Sequence, residues 1–308
     1  MKIAVMGVGG VGGFYGSLLA RHYAENRDVQ VIFIARGAHL QAIQTDGLKM
    51  QGTSGEFIVR PDLATDNPGE CGPFDTILFC TKGYAIEDGA RAVMPGVNTH
   101  TVVISLLNGV DNPKRLKTIL HKGRILNGCV YLSAHILGSG VIEQIGGSGK
   151  MFFGDETDPK FNGRGIETVL RDAGIDAVYS RDIERIVWEK YIFICPFASA
   201  TTFLNKTIRG VLEDKEGRAL LDGLLDEVIH VADARGVDLP QNIREITLNT
   251  AYSFPRETKT SMHKDAEDGK ETEIDTFTGT IVNAARQYGV SVPYHENVYK
   301  SLKGRLQA

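Results

Sequence analysis

Cysteine is scarce in this chain, and its spacing removes several classes of protein at once. Cys71, Cys80, Cys129 and Cys195 are the only four in 308 residues, far apart, with no CxxC pair and no Cys/His cluster at metal-ligand spacing. A structural zinc site, a dithiol redox motif and a disulfide-stapled scaffold are therefore excluded. Each cysteine lies in or beside an apolar stretch and reads as a reduced core residue of a cytoplasmic protein. Blocks of basic charge are missing too: 34 Lys and Arg against 38 Asp and Glu leave a net charge of -4. That balance argues against nucleic acid or an anionic membrane surface as the main partner and leaves small molecules as the default ligands. No internal repeat or low-complexity segment is present. One run, Ile3 to Ala20, goes eighteen residues without a charge, but it holds six glycines, Gly7, Gly9, Gly10, Gly12, Gly13 and Gly16. Glycine adds little transfer energy and weakens a helix by about 1 kcal/mol relative to alanine, so this segment is not expected to span a membrane.

What is present is an ordinary globular composition, 42% hydrophobic and 23% charged. At roughly 150 residues per domain the length predicts about two domains. Short, almost wholly apolar runs at Lys2 to Met6, Val29 to Ala35, Thr76 to Cys80, Thr101 to Leu106 and Arg124 to Val130 predict strands buried on both faces of a mostly parallel sheet. Val141 to Ile145 and Met151 to Gly154 read as further strands, with Gly146 to Lys150 as a hairpin turn between them. That glycine-rich stretch fails the spacing of a nucleotide-triphosphate loop, since Lys150 is followed by Met151. Beyond about residue 180 the period changes. Leu220, Leu221, Leu224, Leu225, Val228, Ile229 and Ala232 recur at helical spacing, with Gly236 as the stop. Glu273 to Gln287 and Asn297 to Leu306 read as further helices. The expected organisation is a domain over 1–180 and an all-helical domain over 181–308.

The sharpest motif joins the first strand to the first helix: Gly7, Val8, Gly9, Gly10, Val11 and Gly12 form G-x-G-x-x-G between Lys2–Met6 and an apolar helical pattern. Glycines there allow a tight turn and let backbone N–H groups approach a pyrophosphate at the helix N-terminus. The expected fold class is α/β, an N-terminal Rossmann-type doubly wound parallel sheet with a C-terminal helical domain. At the end of the second strand, where an acidic residue would contact the ribose hydroxyls of NAD, stands Arg36. A guanidinium suits a 2′-phosphate, so NADPH or NADP+ is the expected cofactor; a solvated surface arginine is the alternative.

With Gly7 to Gly12 in place, the chain resembles the ketopantoate reductase (2-dehydropantoate 2-reductase) family. Further motifs carry the likeness: Ile34-Ala35-Arg36-Gly37-Ala38-His39-Leu40, Gly47-Leu48, Thr81-Lys82-Gly83-Tyr84, Leu107-Asn108-Gly109-Val110, Trp188-Glu189-Lys190 and Thr272-Glu273-Ile274-Asp275. The resemblance implies hydride transfer from NADPH to the 2-oxo carbon of ketopantoate, giving pantoate for pantothenate and coenzyme A synthesis, in a cleft between the domains. It implies Lys190 as proton donor and stabiliser of the developing alkoxide, among apolar neighbours that partly desolvate it; a lysine whose stem covers apolar surface is the alternative. Glu273 is implied near cofactor and lysine, although Thr272 to Asp275 also reads as a capping box. Ser261 is implied as a contact for the substrate carboxylate, or is a plain N-cap. Lys82 and Asn108 are implied cofactor-side residues on loops after parallel strands, Asn108 also touching substrate; a solvated lysine and a turn-forming asparagine are their alternatives. No metal is implied, and the family leaves monomer or homodimer open.

One departure bears on the substrate. Ile194 and Ala198 stand where the better-known branch of the family has asparagines, and Ser199, Thr201, Thr202 and Asn205 are the nearby groups that could compensate. Reduction of another branched or apolar 2-oxo acid therefore stays open, as does a non-catalytic NADP(H) sensor. The histidines and the charged run Asp265 to Glu273 read as solvated surface.

Overall fold

The computed structural model describes residues 1–26, 28–52 and 55–306. Its contacts group the chain into two compact units, one of Met1–Leu107 with Asp111–Ile183, the other of Asn108–Val110 with the chain from Glu184 onward.

The first unit holds strands β1 (Lys2–Met6), β2 (Gln30–Ile34), β3 (Leu48–Gly52), β4 (Gly55–Val59), β5 (Leu63–Thr65), β6 (Thr76–Phe79), β7 (Val102–Ser105), β8 (Arg124–Gly138), β9 (Val141–Gly154) and β10 (Ala177–Tyr179). Helices α1 (Gly10–Tyr23), α2 (Gly37–Asp46), α3 (Ile86–Val93), α4 (Asn112–Lys117) and α5 (Arg164–Asp172) accompany them. The strands form one sheet in the order β4-β3-β9-β8-β7-β6-β1-β2-β5, with β10 on β9. Within it β5-β2-β1-β6-β7-β8 pair in parallel. The order reverses between β1 and β6, the switch point at which a doubly wound sheet opens a ligand crevice beyond its strand ends. Alternate residues feed opposite cores. Ile3, Val5, Val31, Phe33, Leu78 and Ile104 join one apolar cluster, while Ala4, Met6, Ile32, Ile34, Ile77 and Val103 join the other. That two-sided burial is why these strands read as unbroken apolar runs.

The sheet corrects one sequence expectation. Gly146 to Lys150 is no hairpin turn; it lies inside β9, and the chain reverses earlier, between Gly138 and Val141. Ser133 pairs with Gly146 and Tyr131 with Lys150, so β9 carries extra residues there. Gly147 and Gly149, at φ +77° and +72°, supply the left-handed backbone that such a bulge needs. Strands β3, β4, β5 and β10 went unread because charged residues interrupt β3 and β4 and three residues are too few to show a period.

The second unit is helical: α6 (Ile183–Leu204), α7 (Ile208–Glu213), α8 (Lys215–Arg235), α9 (Ile243–Ser253), α10 (Ser261–Glu267), α11 (Thr280–Tyr288) and α12 (Pro293–Leu306). Asp214 caps α8 by accepting the Gly217 N–H, and Gly236 ends it in the left-handed conformation. Leu221, Leu224, Leu225, Val228 and Ala232 are buried, as their spacing predicts. A regular helix over Glu273–Gln287 does not form. A π-turn occupies Asp275–Gly279, closed by Gly279 N–H donating to Ile274 O at 3.0 Å, and Glu273 stays outside it. The capping box is absent as well, since no side chain caps this turn.

Two histidines read as surface are buried, His263 at 2% and His295 at 0% exposure. Burial holds the His295 imidazole below its ordinary range, so it is neutral at neutral pH. Its Nδ1–H donates to Glu227 Oε2 at 2.7 Å, and its Nε2 lies 3.7 Å from Cys195 Sγ. The Cys195 thiol, pushed up to about 12 by burial, stays protonated and serves as the donor. Glu227 also accepts the Tyr294 and His295 backbone N–H groups. His295→Ala removes one of three donors from a buried carboxylate and is expected to lower the unfolding free energy by about 3 kcal/mol; urea denaturation checks it, and a loss under about 1 kcal/mol would show that water replaces the ring.

The four cysteines form no disulfide among the described residues; Cys129 and Cys195 are buried, and Cys71 and Cys80 are half-buried. No helix among the described residues is long and apolar enough to cross a membrane.

Candidate functional site

In the first unit the chain leaves β1 at Gly7, whose φ of +91° turns it sharply while its N–H donates to Ile34 O at the end of β2. Gly12 packs so closely behind the turn that a side-chain carbon there would sit 2.0 Å from Gly7 O. Gly9, the N-cap of α1, has open space where a side chain would be, and no side chain caps the helix or places a carboxylate in its first turn. Val8 is buried beneath the turn, and Gly10 and Val11 begin α1. Uncapped N–H groups at the positive end of a helix dipole suit an anion.

Thr81 follows β6 with its backbone against Gly7, and Ser105 ends β7. Thr81 Oγ1 and Ser105 Oγ are buried without a hydrogen-bond partner among the described residues. Asp111 Oδ1 is in the same condition, and burial raises its carboxyl above the usual range. Ser105 and Asp111 leave no mark in the sequence, where isolated hydroxyls and carboxylates carry no periodic signal, and Thr81 stands out there only within Thr81-Lys82-Gly83-Tyr84. Lys82 is half-buried and opens a single 3-10 turn, Gly83–Ala85. Arg36 is exposed as the N-cap of α2, and its side chain makes no ion pair among the described residues. His39, one turn into α2, accepts the Gly140 N–H on Nδ1 at 3.0 Å and ties this segment to the β8–β9 connection. The open turn, the uncapped helix and the unpaired guanidinium at the end of β2 fit a phosphorylated dinucleotide.

In the second unit, half-buried Lys190 donates from Nζ to Asn108 Oδ1 at 2.8 Å across 82 residues of sequence. On the same turn of α6, Trp188 and Tyr191 are each 1% exposed, their rings edge to face at 5.7 Å. The Tyr191 hydroxyl donates to Thr276 O at 3.0 Å and Phe277 O at 2.7 Å in the π-turn. Glu273, 5% exposed, lies just before that turn. Ser261 is exposed at the first position of α10; the N-cap is Thr260, which accepts the His263 N–H. The structure thus brings Lys190 and Asn108 into contact and gives Ser261 no capping duty.

Ile194 and Ala198 follow Lys190 at intervals of four, on its stripe of α6. Of the polar neighbours that could offset them, Ser199 Oγ is bound to Thr278 Oγ1 and Thr201 Oγ1 to Phe197 O and Thr260 Oγ1. Asn205 Oδ1 is engaged by His263 Nε2. Thr202 alone of the four keeps a hydroxyl without a partner among the described residues, one turn beyond Ala198.

Comparison with known proteins follows the same division. The family model for ketopantoate reductase PanE/ApbA matches residues 3–157, and the model for its C-terminal part matches residues 182–306. An uncharacterized oxidoreductase of Bacillus subtilis, YkpB, is 27% identical over 304 residues, 98% of each chain. Among solved structures, a PanE/ApbA family ketopantoate reductase from Ralstonia eutropha is similar over all of both chains with TM-score 0.90 and 28% identity. A 2-dehydropantoate 2-reductase from Porphyromonas gingivalis is similar with TM-score 0.83 and 33% identity, covering 98% of this chain and 99% of that one.

Proposed function

This chain belongs to the ketopantoate reductase family, and on that premise we propose that it reduces 2-dehydropantoate to pantoate with NADPH, a step toward pantothenate and coenzyme A. The observation that carries the reading is the 2.8 Å hydrogen bond from Lys190 Nζ to Asn108 Oδ1. The amide oxygen helps hold the ammonium in place, where its positive charge can stabilise an oxygen that becomes negative during reaction. Lys190 hydrogen-bonds the 2-oxo oxygen, stabilises the alkoxide and hands it a proton from Nζ. Ser261 holds the substrate carboxylate through its hydroxyl, and Glu273 orients the groups around the lysine. NADPH, when bound, supplies the hydride. The Gly7–Gly12 turn receives its pyrophosphate, Arg36 its 2′-phosphate, and Lys82, Asn108 and Glu273 its remaining polar edge. The 33% identical 2-dehydropantoate 2-reductase supports the substrate class. We place the enzyme in the cytoplasm as a monomer or homodimer acting on a free small molecule, without metal, nucleic acid or membrane.

Ile194 and Ala198 favour a second reading, in which the acid carries a branched or apolar substituent. The deciding experiment follows NADPH oxidation with ketopantoate beside pyruvate and 2-oxoisovalerate. Saturable turnover with ketopantoate supports the first reading, and activity confined to 2-oxoisovalerate supports the second. Silence with all three, while NADPH binds, would overturn both in favour of a nucleotide sensor.

A further inference from the structure

Consecutive residues of α6 serve different partners. Lys190 reaches Asn108, and Tyr191, about 100° around the helix, sends its hydroxyl to two carbonyls of the π-turn, Thr276 O and Phe277 O. The two features are complementary. In an α-helix each carbonyl accepts from the N–H four residues on, whereas in this turn Gly279 N–H closes on Ile274 O, five residues back. Thr280 Oγ1 takes Asp275 O at 3.2 Å, and the phenol takes the next two. Ring contact with Phe277, centroids 6.3 Å apart, and the Ser199–Thr278 hydroxyl pair at 2.8 Å hold the same surfaces together.

The connection continues to Glu273. Phe277 N–H donates to Glu273 O at 3.0 Å while Phe277 O accepts from Tyr191. A single residue, Phe277, thus links the buried glutamate's backbone to the phenol next in sequence to Lys190. Because a π-turn carries one residue more than an α-turn, its formation rotates the preceding segment by about 100° relative to α11. The direction in which Glu273 leaves the helix therefore depends on whether that turn is kept.

We propose that Tyr191 is a positioning residue: by hydrogen-bonding two carbonyls of the π-turn, it locks α6 to that turn and fixes Glu273 relative to Lys190. The proposal rests on the reading of Lys190 and Glu273 as groups at the reacting centre.

Tyr191→Phe keeps the ring and removes only the donor. With ketopantoate or the best acid of the panel, kcat is expected to fall about tenfold, with KM for the acid and Kd for NADPH held within about twofold. Thermal unfolding of the same samples establishes that the protein is folded. Since the phenol acts through Glu273, adding Tyr191→Phe to Glu273→Gln should lower kcat by less than about twofold more. Unchanged kcat in Tyr191→Phe, a fall in melting temperature alone, or a full tenfold loss on top of Glu273→Gln would each overturn the proposal. Ser199→Ala, which loosens the same pair of surfaces, should lower kcat in the same pattern but less. If Tyr191→Phe does not fold, unchanged kcat in Ser199→Ala overturns the proposal instead. Wild-type turnover in both Lys190→Ala and Glu273→Gln would reject the underlying reading and the positioning role with it. Loss in those two variants beside normal Tyr191→Phe rejects the positioning role alone.

Discussion

Lys190→Ala is expected to lower kcat by roughly a hundredfold to ten-thousandfold, while NADPH binding changes by less than about threefold. The lysine offers a hydrogen bond and a full positive charge at the oxygen where negative charge appears, and both matter more in the transition state than in the bound ground state. Lys190 is half-buried, so water can enter the space that the ammonium leaves. Folding should therefore survive, and the loss should appear in kcat. Single-turnover kinetics beside a fluorescence titration of NADPH separate the outcomes. Normal turnover at saturation with cofactor binding lost would make Lys190 a nucleotide contact and remove it from the chemistry.

The second large effect is expected at Arg36. Arg36→Asp should shift the ratio of kcat/KM for NADPH over NADH by about a hundredfold to a thousandfold toward NADH. A guanidinium gripping a phosphate contributes roughly 1.5–3 kcal/mol, and a carboxylate in its place adds repulsion toward the phosphate while accepting from the ribose hydroxyls of NADH. The site tolerates the exchange. Arg36 is the exposed N-cap of α2 with extended backbone, a position where aspartate is among the preferred residues. No ion pair among the described residues is broken by it. An unchanged ratio would mean that the 2′-phosphate is read elsewhere or not at all.

These two residues differ in how they became visible. Arg36 was legible from its neighbours alone, since a buried strand, a glycine turn and the end of the next strand are local events with local signatures. Lys190 was legible as a type of residue in apolar surroundings, and the resemblance supplied its role. Its contact with Asn108 spans 82 residues, a distance over which no periodicity speaks. The π-turn left no trace either, because one extra residue within Asp275 to Gly279 barely disturbs a pattern that already accepts both three- and four-residue steps. His295 read as solvated surface because a sequence shows that a side chain is polar but not the partners folded around it.

By itself, then, the sequence determined the parallel sheet, the nucleotide turn, the helical second half and the family, since each depends on short-range patterning: apolar runs, glycines at a turn, helical spacing and motifs in order. Tertiary structure alone decided that the glycines after Ile145 bulge a strand instead of ending one, that Asn108 groups with the helices rather than with the sheet around it, and that Tyr191 answers a π-turn 85 residues away. Those outcomes depend on contacts between residues far apart in the sequence, and such contacts exist only once the chain is folded.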